Sequence, residues 1–411
     1  MLEILSHSSH FLPFLPPKRR REIRKTQLSF FDFSPHFQIS LSIEADFRKY
    51  LLSLMCKRSK ESDMDNLMRK LPIGIQTFEG IRKDNYLYVD KTALVWRMAN
   101  LGKPYFLSRP RRFGKSLLIS TFDAYFQGKK ELFDGLAIEQ LETKWEQHPV
   151  LHLDLNAKKY ETAADLIAML NQYLEKWEAI YGNEKKDRSP EERFSYVIEQ
   201  ASLKTGKGVV VLVDEYDKPL LQAIGNKELQ SAYRNTLKPF YGVLKTMDGY
   251  IQFAMLTGVT KFGKVSVFSD LNNLIDISMD ARYVALCGIT GKEIQDNFEE
   301  DLHELAEAQK MTYEEAKAEL KACYDGYHFV EDSEGIYNPF SLLNTFFKMK
   351  FGSYWFETGT PTYLVELLKK HHYDLHRMAH EETTAEVLNS IDSTSDNPIP
   401  VIYQSTRRCN R

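Results

Sequence analysis

The chain has 411 residues, 43% of them hydrophobic, which is enough to bury the cores of two or three domains and too apolar for an intrinsically disordered protein. A formal net charge of -3 supplies no global attraction to nucleic acid or to an anionic membrane, and no apolar run approaches the roughly 18 residues that span a bilayer. The four cysteines (Cys56, Cys287, Cys323 and Cys409) have neither metal-ligand nor disulfide spacing and the start lacks a signal-peptide core, so a reducing cytoplasm is the expected compartment.

Residues 1–67 carry Pro13, Pro16 and Pro17 ahead of the basic cluster Lys18-Arg19-Arg20-Arg21, and no helix or strand period persists. The segment is expected to be a disordered or non-native extension; a basic address or nucleic-acid contact is the alternative. Internal methionines at Met55, Met64 and Met68 leave a later translation start open.

A folded texture begins near Leu71. Tyr86-Leu87-Tyr88-Val89 predicts a strand, and Asp90-Lys91-Thr92 opens a helix through Met98 with Asp90 as its cap. Gly102-Lys103-Pro104 ends that helix. The stretch Tyr105-Phe106-Leu107-Ser108 then predicts a short strand, followed by a tight loop and a helix from Gly114 to about Phe126. The loop closes on Gly114-Lys115-Ser116, the end of a phosphate-binding loop. A helix that starts just after a loop offers unpaired N–H groups and the positive end of its dipole, which suits a polyphosphate. Arg111, Arg112, Phe113, Gly114, Lys115, Ser116 and Leu117 are therefore candidate nucleotide contacts, with Lys115 aimed at the β- and γ-phosphates and Ser116 at magnesium. The usual pattern has glycine where Arg109 stands, and Arg109-Pro110 cannot take the same φ > 0 path there. A bare Gly-Lys-Ser also arises wherever glycine precedes a surface lysine at a helix start.

Val150–Leu155 predicts another core strand, and a helix follows from near Ala163 to Trp177. Ser189-Pro190-Glu191-Glu192 has the spacing of a capping box. Gly208–Val213 is a continuous β-branched and apolar run that ends in Asp214 and Glu215, as expected of a strand covered on both faces. Its carboxylates would emerge at the edge of the sheet where α/β folds bind ligands. Asp214 is the candidate magnesium ligand, through water, and Glu215 the candidate base for the attacking water. An acidic helix start is the plainer alternative.

Tyr216-Asp217-Lys218-Pro219-Leu220 begins a helix, and Leu229–Leu244 is long and amphipathic. Ile251–Gly258 predicts a strand whose Thr257 could sense the γ-phosphate, or simply close the strand. Lys261 and Lys264 could add positive charge nearby, and Arg234 is a further candidate phosphate contact. Val259–Ser278 has no catalytic periodicity. Tyr283–Cys287 predicts a strand, and from Thr290-Gly291-Lys292-Glu293 and Thr312-Tyr313-Glu314-Glu315 onward capping boxes predict helices.

Several strings taken together are more specific than any one. Arg109–Ser116, Val213–Pro219, Thr257–Phe262, Ser269–Leu274, Tyr324-Asp325-Gly326-Tyr327, Tyr337-Asn338-Pro339 and Thr358-Gly359-Thr360-Pro361 resemble the AAA-ATPase-like family of prokaryotic proteins, over roughly residues 68–404. In that family the missing first glycine is usual. The resemblance implies an α/β P-loop NTPase of the additional-strand class, a parallel sheet with crossover helices, plus a smaller helix-rich domain. The expected division is 1–67 extension, 68–288 ATPase-like domain, 289–395 helix-rich domain and 396–411 truncated tail. The nuclease-like domain that often follows in the family is expected to be missing. The implied function is magnesium-dependent ATP hydrolysis driving a conformational switch; the alternatives are a nucleotide-binding interaction module with little turnover, or a remnant of an ATPase–nuclease protein. ATP and Mg2+ are the expected ligands. A DNA or protein partner and an oligomer are compatible with the family, and no membrane contact is expected.

Overall fold

Three runs with no polar face build the middle of a parallel sheet. β1 (Tyr105–Ser108), β3 (Val209–Asp214) and β4 (Ile251–Gly258) are buried along almost their whole length, as strands covered on both sides must be. β2 (Val150–Asp154) and the two-residue β5 (Ile275–Asp276) stand at the edges. The order is β2-β3-β4-β1-β5 and every pairing is parallel. This computed structural model describes residues 70–102, 104–260, 267–268, 271–330 and 333–355. The expectations for residues 1–67, Lys261, Lys264, Ser269, Asp270, Thr358–Pro361 and 396–411 lie outside those residues.

The helices around this sheet are, in chain order, α1 (Phe78–Lys83), α2 (Thr92–Leu101), α3 (Lys115–Phe126), α4 (Ala163–Tyr181), α5 (Pro190–Thr205), α6 (Lys218–Gln222) and α7 (Lys227–Thr246). Side chains alternate across each strand, so the sheet has two cores. Phe106, Leu153, Val211, Val213 and Leu256 face α4, α5 and α7. Tyr105, Leu107, Leu212, Phe253 and Met255 face α2 and α3. Phe194 of α5 stacks on Phe240 of α7 with ring centroids 4.5 Å apart. The start of α5 has the expected capping box between Ser189 and Glu192.

A third cluster follows in the chain. β6 (Ile289–Thr290), α8 (Gly291–Gln309), α9 (Tyr313–Tyr324), β7 (Asp325–Tyr327), β8 (Ile336–Tyr337) and α10 (Pro339–Lys348) surround Phe298, Leu302, Leu305, Leu320, Leu342 and Phe346. The capping boxes at Thr290 and Thr312 form as the spacing predicts. The helices come with a small antiparallel sheet, order β6-β8-β7, which helical periodicity did not announce.

Three local expectations are corrected. Tyr86–Val89 is not a strand: among the described residues only Tyr86 makes a bridge, to Lys70. Tyr283–Leu286 lies in a 3-10 helix, Ala281–Leu286, with Cys287 just past its end; the start is held by the Asp280 carboxylate accepting from the backbone N of Arg282. Asp90 sits one residue before the N-cap Lys91, yet its carboxylate still accepts from the N and hydroxyl of Thr92, at 2.8 and 2.7 Å. Among the described residues no helix is long and apolar enough to cross a membrane.

Candidate functional site

Parallel strands end at the same edge, and here they bring Ser108, Asp154, Asp214 and Gly258 to it; Asp154 is paired with Asp214, and Ser108 with Gly258. The chain leaving β1 stays on the ladder for one more step, since Arg109 N donates to Gly258 O at 3.1 Å. The loop then takes its left-handed steps at Arg112 (φ 68°) and Gly114 (φ 89°), and none at Arg109. A glycine is therefore required at the last step before the helix, where a side chain would be strained.

Arg109 does not reach outward. It is fully buried, donates to Ser108 O, Ser278 O and Tyr283 O at 3.0, 2.7 and 3.3 Å, and lies 3.8 Å from the centre of the Phe329 ring. Its guanidinium pins the start of the loop where the usual pattern has a flexible glycine.

Lys115 is 4% exposed. Its ammonium donates to Arg109 O and Pro110 O at 3.1 and 3.3 Å and lies 3.5 Å from the Glu215 carboxylate. Glu215 occupies a left-handed backbone position (φ 53°), which sends its side chain back toward the loop. Asp214, next to it, is buried; its Oδ1 accepts from the Thr257 hydroxyl at 2.5 Å and from the Glu215 N at 3.0 Å. Thr257 thus holds a carboxylate, and is fully buried in doing so. Asp154, on the neighbouring strand, has its carboxyl held above the usual range by burial, with the charges of Asp214 and Glu215 adding to it.

A cleft of about 330 Å³ is lined by Gly114, Lys115, Ser116, Leu117, Arg111, Arg112 and Glu215, whereas Asp214 and Thr257 are buried and do not line it. Seven of the predicted residues are therefore together at one cavity. Phe113 is not among them: its ring is buried edge-on against Tyr327, 4.6 Å away, so only its backbone belongs to the loop. Arg234 lies on α7 and does not line the cleft. The Arg112 guanidinium sits 4.6 Å over the Phe340 ring, and the Arg111 carbonyl accepts from Trp355 Nε1 at 3.1 Å.

Sequence reasoning missed part of the wall. Gly74, Gln76, Asn156, Lys218 and Phe340 also line the cleft. Lys218 was visible only as a member of the string after Glu215, and Asn156 carried no motif. Asp217, in the same string, is fully buried and accepts from Val259 N, Thr260 N and the Thr260 hydroxyl at 3.1, 2.7 and 2.7 Å. It ties the turn after β3 to the end of β4. A side chain at Gly258 would collide with the Tyr216 ring and this carboxylate, at 2.5 and 2.7 Å.

The model of a family described as predicted AAA-ATPase matches residues 72–268, a span that runs from before α1 through β4 and includes the loop, Asp214, Glu215 and Thr257. This segment belongs to the AAA-ATPase-like family. The AAA-ATPase-like assignment agrees with the parallel sheet, in which β4 stands between the loop strand and the acidic strand, and nucleotide binding is what that family's description points to. The chain is also 45% identical, over 304 residues, to a protein of Azotobacter chroococcum mcd 1 titled "Uncharacterized protein in vnfD 5'region"; the match covers 73% of this chain and 56% of that protein. The chain thus spans a little over half the length of this curated relative. No solved structure matches it.

Proposed function

We propose that the chain binds ATP with magnesium in this cleft and hydrolyses it. The observation that carries the reading is the meeting of Lys115 and Glu215 at 3.5 Å, delivered by elements that follow β1 and β3 with β4 between them. The N–H groups at the start of α3 and the Lys115 ammonium offer a polyphosphate hydrogen bonds and positive charge together. The Ser116 hydroxyl and the Asp214 carboxylate are oxygen donors of the kind magnesium prefers, and the Thr257 and Glu215 hydrogen bonds both fall on Asp214 Oδ1. Held by Ser116 and Asp214, magnesium would supply charge neutralisation to the phosphates. Glu215 accepts the proton of a water whose oxygen attacks the γ-phosphorus while the bond to the ADP oxygen breaks. Thr257 acts by orienting Asp214.

The contacts of Arg111 with Trp355 and of Arg112 with Phe340 supply a route by which a change in the loop reaches the residues after β8. We read this as the start of a conformational switch, with the helices after residue 289 as its receiver. A second reading, binding with little turnover, is favoured by the ion pair that ties Glu215 to Lys115. Measuring phosphate release from ATP by the purified protein separates the two: turnover that Glu215→Gln abolishes supports hydrolysis, and bound ATP without release supports the binding module.

A further inference from the structure

We propose that Lys218 is a second phosphate-directed cation of this site and contacts the terminal phosphate of the nucleotide; the inference rests on the reading of the cleft as an ATP site. The turn after β3 sorts its residues. Tyr216 and Asp217 are fully buried, whereas Glu215 and Lys218 line the cleft. The backbone fixes this division, because Lys218 N donates to Glu215 O at 3.0 Å and the buried Asp217 clamps the turn to Val259 and Thr260. Glu215 and Lys218 are therefore one rigid turn apart and open onto the same space.

The two lysines of the cleft are placed differently. Lys115 is already balanced by Glu215 at 3.5 Å. The Lys218 ammonium rests instead on a neutral partner, the side-chain oxygen of Asn156 at 2.9 Å, which lines the same cleft from the short 3-10 turn after β2. Asn156 is itself held there, its N donating to Asp154 Oδ1 at 2.8 Å. An amide partner leaves the positive charge available, and a lysine has the reach and rotatable donors to move from an amide to a phosphate.

Charge balance supplies the reason for a second cation. When a polyphosphate draws Lys115 onto itself, the Glu215 carboxylate is left facing the terminal phosphate, and two negative groups must approach while water attacks between them. A cation on the same turn as the base offsets that repulsion and stabilises the charge on the transferring phosphoryl group. With Lys218 in this role the chain carries such a cation in its own sequence.

The test compares wild type, Lys218→Met and Lys218→Arg for binding of Mg-ATP and Mg-ADP by titration calorimetry and for the rate of phosphate release. A contact with the terminal phosphate is expected to make wild type favour ATP over ADP. Lys218→Met should lose about tenfold or more of its ATP affinity while ADP affinity holds, with kcat down roughly 10²-fold, and Lys218→Arg should keep most of both. Equal losses for ATP and ADP, or no change in either, would overturn the role of Lys218 while leaving the ATP site intact. Wild type that binds neither nucleotide would overturn the ATP reading itself.

Discussion

The Lys115 ammonium lies 3.5 Å from the Glu215 carboxylate, while the neighbouring Asp214 accepts from the Thr257 hydroxyl at 2.5 Å. Two adjacent acids at the end of one strand thus have separate partners, and separate roles follow. Glu215→Gln keeps the shape of the side chain and removes the proton acceptor, so it is expected to bind ATP and release phosphate about 10²-fold more slowly or worse. Asp214→Asn should instead raise the magnesium concentration needed for half-maximal binding. Titrating magnesium in both variants checks the division; identical profiles would contradict it.

Arg109→Gly restores the glycine that the usual phosphate loop has at its first position, yet it is expected to destabilise this protein. Ser278 O and Tyr283 O lose buried donors, and Phe329 loses the cation stacked on it. A buried group left unpaired costs about 1–3 kcal/mol, and in a domain of about 150–250 residues each kcal/mol moves the melting temperature by roughly 2–4 °C. A drop of several degrees or more in a thermal melt is the expected result, and an unchanged or raised Tm would show that the guanidinium is dispensable.

What could be read from the chain, and what could not, divides along physical lines. β3 and β4 were legible because an unbroken apolar run ending in a polar residue has few other homes, and the Gly114-Lys115-Ser116 step announced the loop. The capping boxes at Ser189, Thr290 and Thr312 were legible because a side chain and its helix start are three residues apart. β5 was not, because two residues carry no period; Ile275 and Asp276 become a strand only through β1 beside them. The strand expected at Tyr283 gave way to a 3-10 turn because a short apolar run fits either, and the Asp280 cap decided it. The far wall of the cleft, Gly74, Asn156, Lys218 and Phe340, is assembled from four separate parts of the chain, a long-range event that no local pattern encodes.

Asp217 gives the clamp after β3 a pH dependence. Burial, and next the charge of Glu215, raises its carboxyl to about 6, above the value near 3.9 of an unfolded aspartate. Between those values the folded chain holds more protons than the unfolded one, so the contribution of this group to stability is fully present below about pH 4 and is lost as pH rises through about 6. The stability difference between wild type and Asp217→Asn, from urea unfolding at a series of pH values, should therefore shift against wild type over that window. A difference that stays constant with pH would contradict a protonated Asp217 in the fold.

The most direct test of the account is the affinity of Lys115→Ala for Mg-ATP, measured by titration calorimetry beside wild type, with a thermal melt of each to show that both are folded. Lys115 is a buried cation of the cleft, and its removal takes away the positive charge that faces Glu215 at 3.5 Å. Wild type is expected to bind, and Lys115→Ala to lose binding by about 10²-fold or more, the scale on which a charge-assisted contact to an anion counts in a water-poor site. A folded Lys115→Ala that binds Mg-ATP as tightly as wild type would show that the nucleotide does not sit where Lys115 and Glu215 meet.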